Sequence, residues 1–326
     1  MTIPPPYQPS GNLSDKVRSL IRKQKTDWPL LQQNYAGLEK IEEKIYSFGT
    51  FQIIAQFNPE RIRSSAAKTD EESIRNRTCF LCGSNRPKEQ QGIDVDGKYT
   101  ILVNPYPIFP EHLTIPLNEH LPQNIEPYFS DMLQLSRQLP DFTIFYNGPK
   151  CGASAPDHFH FQAGTATVMP VNPEIEKILI LYGDLLFQDE QIMIRSVGKQ
   201  YLRKFIFLSS ASEQELARRF EQIMNILEER GQEDEPMMNI LSAYKNGKWT
   251  IIIFPRDKQR PWQFDEEGDR KILMSPASVE FGGLSVLPRK EDFDRLSKDD
   301  LVSIYNQVTI NDADFELIKK KIKNCL

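Results

Sequence analysis

Short apolar runs bounded by turn residues recur along this chain in the order strand–strand–helix–strand–strand, and that order occurs twice. In the first copy, Tyr99 to Asn104 and His112 to Pro116 read as strands on either side of a proline-rich turn. A helix follows from about Ile125 to Leu139, with Phe129, Met132, Leu133 and Leu139 on its inner side. Asp141 to Tyr146 is the next strand, and another starts near His158 after a glycine-bearing loop. In the second copy, Gln191 to Arg195 and Tyr201 to Leu208 are strands, and Ser212 with Glu215 makes a capping box for a helix running to about Arg230. Met238 to Tyr244 and Trp249 to Phe254 then flank Asn246-Gly247, a hairpin signal. Ahead of both copies, Leu13 to Lys44 is charged and helical with a break at Pro29, Phe51 to Phe57 is a strand, and residues 61–77 are a polar loop. The expectation is an α+β fold in which each half is an antiparallel sheet with a helix packed on it. Its parts are a helical arm over residues 1–50, a first half over 51–170 and a second over 171–326.

Composition narrows the function. With 39 % hydrophobic and 26 % charged residues among 326, a packed core is feasible. The net charge of −5 argues against gripping a nucleic-acid backbone, which wants a basic face, but leaves room for a small anion in a local basic pocket. Apolar runs such as Ile178 to Tyr182 and Trp249 to Phe254 are too short to span a bilayer, and Met1 to Ser10 has no signal-peptide core. Four cysteines are too few for a disulfide framework. A cytoplasmic, reducing setting with neither nucleic acid nor membrane as partner is expected.

All four histidines lie between residues 112 and 160, and none falls in the second copy. The centre is His158-Phe159-His160-Phe161-Gln162. Alternate residues of a strand share a face, so the sequence predicts His158, His160 and Gln162 as one polar row with the two phenylalanines packed behind. Upstream, Asn147-Gly148-Pro149-Lys150-Cys151-Gly152-Ala153-Ser154 offers backbone amides, two hydrogen-bonding side chains and a cation, a set suited to phosphate oxygens. An isolated His-x-His is more often ordinary polarity than a nucleophile; the loop and Gln162 tilt the reading to catalysis. Cys151 reads as a small residue packed beneath the loop, and Cys325 supports no inference.

His-x-His-x-Gln after an Asn…Gly-x-Ser loop resembles the transferase branch of the histidine-triad superfamily. That branch holds galactose-1-phosphate uridylyltransferase, the diadenosine tetraphosphate phosphorylases and the GDP-hexose phosphorylases. The likeness to the last group extends to Gln56-Phe57-Asn58-Pro59 with Arg61, Val103 to Pro116, Tyr146-Asn147, His158 to Ala163 and Glu280 to Phe293. It implies a histidine-triad-like fold duplicated in two halves, the second without the histidine motif. It also implies that His160 attacks the α-phosphorus of a nucleotide to form a covalent nucleotidyl-histidine, and that phosphate or a sugar phosphate then accepts the nucleotidyl group. Gln162 and Ser154 would hydrogen-bond phosphoryl oxygens, Lys150 and Arg61 would offset charge, and Asn58, His112 and Asn147 would line the substrate site. A nucleoside-diphosphate sugar is the expected substrate, with a diadenosine-polyphosphate phosphorylase or a non-catalytic nucleotide sensor as rivals. Homodimers are common in the family.

Cys79-Phe80-Leu81-Cys82 has the ligand spacing of a zinc site; a redox pair, or merely two small apolar residues, are the other readings of such a motif. Some relatives complete a zinc site with the first histidine of the His-x-His. Here Cys79, Cys82, His120 and His158 would make a closed Cys2His2 set holding a structural zinc ion.

Overall fold

The structure is a computed structural model that describes residues 7, 10–62, 70–231 and 235–326. The proline-rich stretch Met1 to Ser10 therefore lies largely outside the described residues, as does 63–69 of the expected 61–77 loop.

Near the start, β1 (Glu42–Ser47) and β2 (Gln52–Phe57) form a hairpin. The first copy then supplies β3 (Gly92–Val95), β4 (Tyr99–Val103), β5 (His112–Pro116), β6 (Phe142–Asn147) and β7 (His160–Thr165). The second supplies β8 (Gly183–Gln188), β9 (Ile192–Val197), β10 (Phe205–Ser210), β11 (Met238–Lys245) and β12 (Lys248–Pro255). These ten strands make one sheet in the order β3-β4-β5-β7-β6-β11-β12-β10-β9-β8. The order reads the same from either end once each strand is exchanged for its counterpart, so the halves are related by a pseudo-twofold at the antiparallel β6–β11 seam, where Asn147 faces Asn239. Finally β13 (Leu284–Leu287) joins β2 in parallel to complete a separate three-stranded sheet.

Each face of the large sheet has its own core. On one face lie α1 (Leu13–Asp27), α2 (Pro29–Leu38), α3 (Phe129–Gln138) and α4 (Glu213–Glu228), with Leu20, Met132, Phe220, Ile144, Phe161 and Ile251 buried between helices and sheet. On the other face Phe145, Leu241, Ile252 and Phe254 meet the three-stranded sheet and the C-terminal segment around Phe281 and Tyr305. The alternation of β7 follows from these two cores. Phe159 and Phe161 are fully buried edge-to-face, 4.9 Å apart, on the helical side, each burial contributing about 2 kcal/mol. His160 and Gln162 are thereby turned to the other side.

Local chemistry sets the boundaries. Asn12 caps α1 by accepting a hydrogen bond from Asp15 N–H (2.9 Å), and Ser212 caps α4 through Glu215 N–H (3.2 Å). Proline disfavours helical backbone at the residue before it, so Trp28 is extended (φ −116°, ψ 102°) and the chain breaks between α1 and α2. Asn246 (φ 53°) and Gly247 (φ 77°) take the left-handed conformation that a two-residue β11–β12 turn requires.

Three expectations shift. The helical reading of Leu13 to Lys44 stops at Leu38, because the charged Glu42–Ser47 is an outer strand of the small sheet, polar for lack of a partner beyond it. The polar 61–77 stretch holds a helix at Glu71–Asn76, capped by Asp70. The last strand of the first copy begins at His160, with His158 in the preceding loop.

Candidate active site and metal cluster

A cavity of about 530 Å³ opens over β4, β5, β7 and β6 on the face away from α3 and α4, with Trp28 and Leu30 of the N-terminal helices also lining it. His160, Gln162, Asn147, Ser154 and Arg61 of the expected set line it. His160 is buried, and its Nδ1 lies 2.9 Å from the His158 carbonyl oxygen. An oxygen there can only accept, so Nδ1 carries the proton and Nε2 is left with its lone pair. Burial lowers the His160 pKa to about 4, which keeps the ring neutral at pH 7.

Gln123 holds the backbone around this histidine. Its Nε2 donates to the Asn147 and His160 carbonyls (both 3.0 Å), while its Oε1 accepts from His160 N–H (3.0 Å). The end of β6 and the start of β7 are thus joined across the twelve residues that separate them in sequence. Two residues on, Ile125 N–H donates to Glu235 (2.7 Å), which also accepts from the Tyr146 hydroxyl (2.8 Å). Burial pushes the Glu235 carboxyl up to about 7.

Gln162 is oriented from behind. His112 Nδ1 accepts from Ile108 N–H (3.1 Å), so its proton sits on Nε2, which donates to Gln162 Oε1 (3.2 Å). With its oxygen engaged, Gln162 has its amide N–H groups left for the cavity. Burial, reinforced by the Arg61 charge, lowers the His112 pKa to about 3. Asn147 is oriented in the same way, its Oδ1 accepting from Asn239 (2.9 Å) and from Ser278 N–H (2.9 Å). Arg61 donates to the Tyr106 carbonyl (2.7 Å), and burial lowers its pKa to about 10. Glu280 also lines the cavity; burial raises it to about 7 against the opposing pull of Arg61.

Three expected substrate residues stand elsewhere. Asn58 is buried and spends its amide on the Pro107 carbonyl (3.1 Å), bracing the turn before β5. His112 sits behind Gln162 and is not part of the wall. Lys150 is exposed: Cys151 N–H bonds the Gly148 carbonyl (2.9 Å), and this tight turn carries Lys150 at its tip, off the cavity. Conversely, Gln123, Glu235 and Asn239 carry no local signal in the sequence, because only the strand pairing brings them to β6 and β7. Trp28, Gln259 and Arg260 also line the cavity.

Cys79, Cys82, His120 and His158 come together beside this cavity, their ligand atoms all within 4.8 Å of one another. Cys79 Sγ lies 3.3 Å and Cys82 Sγ 3.5 Å from His158 Nδ1, and Cys82 Sγ is 3.1 Å from His120 Nδ1. A tetrahedral ion with ordinary zinc–sulfur and zinc–nitrogen bonds needs edges of roughly 3.5 Å, so the donor set fits one. His158 Nε2 donates to the Leu117 carbonyl (2.8 Å), freeing Nδ1 as a ligand, and Asp157 lies 3.8 Å from His120 Nε2. Because His158 faces the cysteines, it is not part of a polar row with His160 and Gln162. Among the described residues this is a group that could hold a metal ion.

Comparison with known proteins places the architecture. Residues 20–165 match the family described as a domain of unknown function, DUF4922, and residues 181–326 match the GDPGP1-like C-terminal domain. Yeast Ap4A phosphorylase Apa2 is similar in structure, with a TM-score of 0.57 at 18 % identity over 98 % of this chain and 95 % of that one. Its complex with AMP gives 0.56 at 18 % identity over 90 % and 96 %. The fold is histidine-triad-like. No curated protein matches in sequence. In this histidine-triad-like frame the second half has apolar residues, Ile252 and Phe254, on the cavity-side face of β12, the strand that corresponds to β7. Among the described residues no helix is long and apolar enough to cross a membrane.

Proposed function

We propose that the protein is a phosphorylase-type nucleotidyltransferase acting on a nucleoside-diphosphate sugar through a nucleotidyl-histidine at His160. The observation that carries the reading is the His160 ring itself, held by the His158 carbonyl so that an unprotonated Nε2 remains beside the Gln162 amide in the cavity. In the first step Nε2 bonds to the α-phosphorus and the bond to the bridging oxygen breaks, releasing the sugar phosphate. In the second an oxygen of inorganic phosphate attacks, the N–P bond breaks, and a nucleoside diphosphate leaves. Two in-line displacements give retention at phosphorus. Gln162, Asn147 and Ser154 supply donors for the phosphoryl oxygens, and Arg61 offsets charge.

The GDPGP1-like match over residues 181–326 supports this reaction class. The fold shared with yeast Ap4A phosphorylase, whose structures include an Ap4A complex, makes a dinucleoside polyphosphate the rival substrate. The cavity charge favours the sugar nucleotide. Among the described lining residues the cations are Arg61 and Arg260, set against Glu280, a modest excess for the about four charges of a tetraphosphate. We assign the Cys79, Cys82, His120 and His158 cluster to a structural zinc ion, which would leave no open coordination position and so lends rigidity to the wall beside His160.

The test is turnover of GDP-, UDP- and ADP-sugars and diadenosine tetraphosphate, with and without phosphate, using His160→Ala as control. Phosphate-dependent release of a nucleoside diphosphate and an acid-labile, base-stable adduct, both absent in the variant, are expected. Nucleotide binding without turnover or adduct would instead identify a sensor.

A further inference from the structure

We infer that Trp28, contributed by the N-terminal helices, forms the stacking surface for the nucleotide base in this cavity. The inference rests on the reading of the cavity as a nucleotidyl-transfer site. The sheet order divides the cavity about β7. Adjacent strands are about 4.8 Å apart, so β4 lies roughly 10 Å to one side of His160 and β11 roughly 10 Å to the other. On the β4 side the walls are rings and amides: Trp28, Pro87, Pro105 and Tyr106, with Gln90 and Asn104. Away from that side the polar walls are Gln259, Arg260 and Ser275, a hydrogen-bonding set suited to a hydroxylated ring bearing phosphate, while Glu280 lies within electrostatic reach of Arg61. A planar heteroaromatic base has its fit on the first side.

Phe80 and Tyr106 also line the cavity, but of these three rings only Trp28 is held in a buried position. It is only 5 % exposed, yet it lines the cavity. Its position is built in. Pro29 forces the extended backbone that breaks α1 from α2, Gln24 of α1 donates to the Glu89 and Gln91 carbonyls, and Asn34 of α2 donates to the Pro105 carbonyl. The arm is therefore stapled to the same two segments that carry Gln90 and Tyr106.

The experiment is tryptophan fluorescence with calorimetry on the full chain, titrating nucleoside 5′-monophosphates and, separately, a hexose 1-phosphate. Monophosphate should quench emission and hexose phosphate should not. Trp28→Phe should abolish the quench while keeping binding, and Trp28→Ala should weaken monophosphate binding about tenfold to a hundredfold with hexose phosphate binding unchanged. An undiminished quench in Trp28→Phe, or hexose phosphate losing affinity in step with the nucleotide, overturns the base subsite and leaves the transferase reading intact. Failure of any nucleotide to bind the wild-type protein overturns both.

Discussion

Gln123 makes three hydrogen bonds to the backbone around His160, and its replacement by methionine isolates what they contribute. Methionine has nearly the same length and volume, so packing is retained while the two N–H···O=C bonds to Asn147 and His160 and the N–H of His160 lose their partner. Gln123 is 4 % exposed, so water does not readily replace it. At about 1 kcal/mol for each net bond, with more for a buried group left bare, the loss sums to about 3–4 kcal/mol. For 326 residues the unfolding entropy scales to about 0.7 kcal/mol per kelvin, so Tm should fall by about 4–6 °C. The rate of His160 nucleotidylation should fall further than stability does, by at least tenfold, because the strand ends holding Asn147 and His160 are no longer clamped. Calorimetry and a single-turnover adduct assay read the two effects. A methionine variant with wild-type Tm and adduct rate would refute the clamp.

Other outcomes follow from the same geometry. Purified protein should hold about one equivalent of zinc; Cys79→Ala should lose it and unfold at lower temperature, and an unchanged zinc content would rule the cluster out as the binding site. His112→Ala frees the Gln162 amide to rotate, so kcat should drop about tenfold or more while KM moves little; equal changes in both would point to a binding role instead. Glu280 titrates at about 7 when folded and near 4.5 when unfolded, so the native state holds the extra proton and stability from this group falls as pH rises between those values. Glu280→Gln should flatten that fall by about 1–3 kcal/mol in denaturant titrations from pH 5 to 8, and an unaltered pH slope would show the carboxyl to be ionised throughout.

Much of this was legible along the chain because it is local. The duplicated strand order is set by short apolar runs and turn residues such as Asn246-Gly247, and the His160–Gln162 pair by alternation along β7. The cysteine–histidine cluster followed the expected spacing, with all four side chains in reach of one ion. What was not legible is relational. Lys150 looks like a phosphate ligand until the Gly148–Cys151 turn carries it outward. His112 reads as a wall residue until its two ring nitrogens are seen to be spent on Ile108 and Gln162. Gln123 lies in an unremarkable polar stretch, and its role exists only because β7 pairs beside β6. Charge also misled: Glu42 to Lys44 reads as helix surface because an outer strand is solvated much as a helix is.

The seam at Asn147 and Asn239 bears on how such a chain can be divided. Residues up to about 170 hold every histidine, yet β6 is an internal strand only because β11 lies against it. A fragment ending there would present the main-chain donors and acceptors of Phe142–Asn147 to solvent along an apolar strand, the kind of bare edge that recruits other chains. It would also lose Asn239 and Ser278, which fix the Asn147 amide. The half without histidines thus works as an edge cap for the half that holds them.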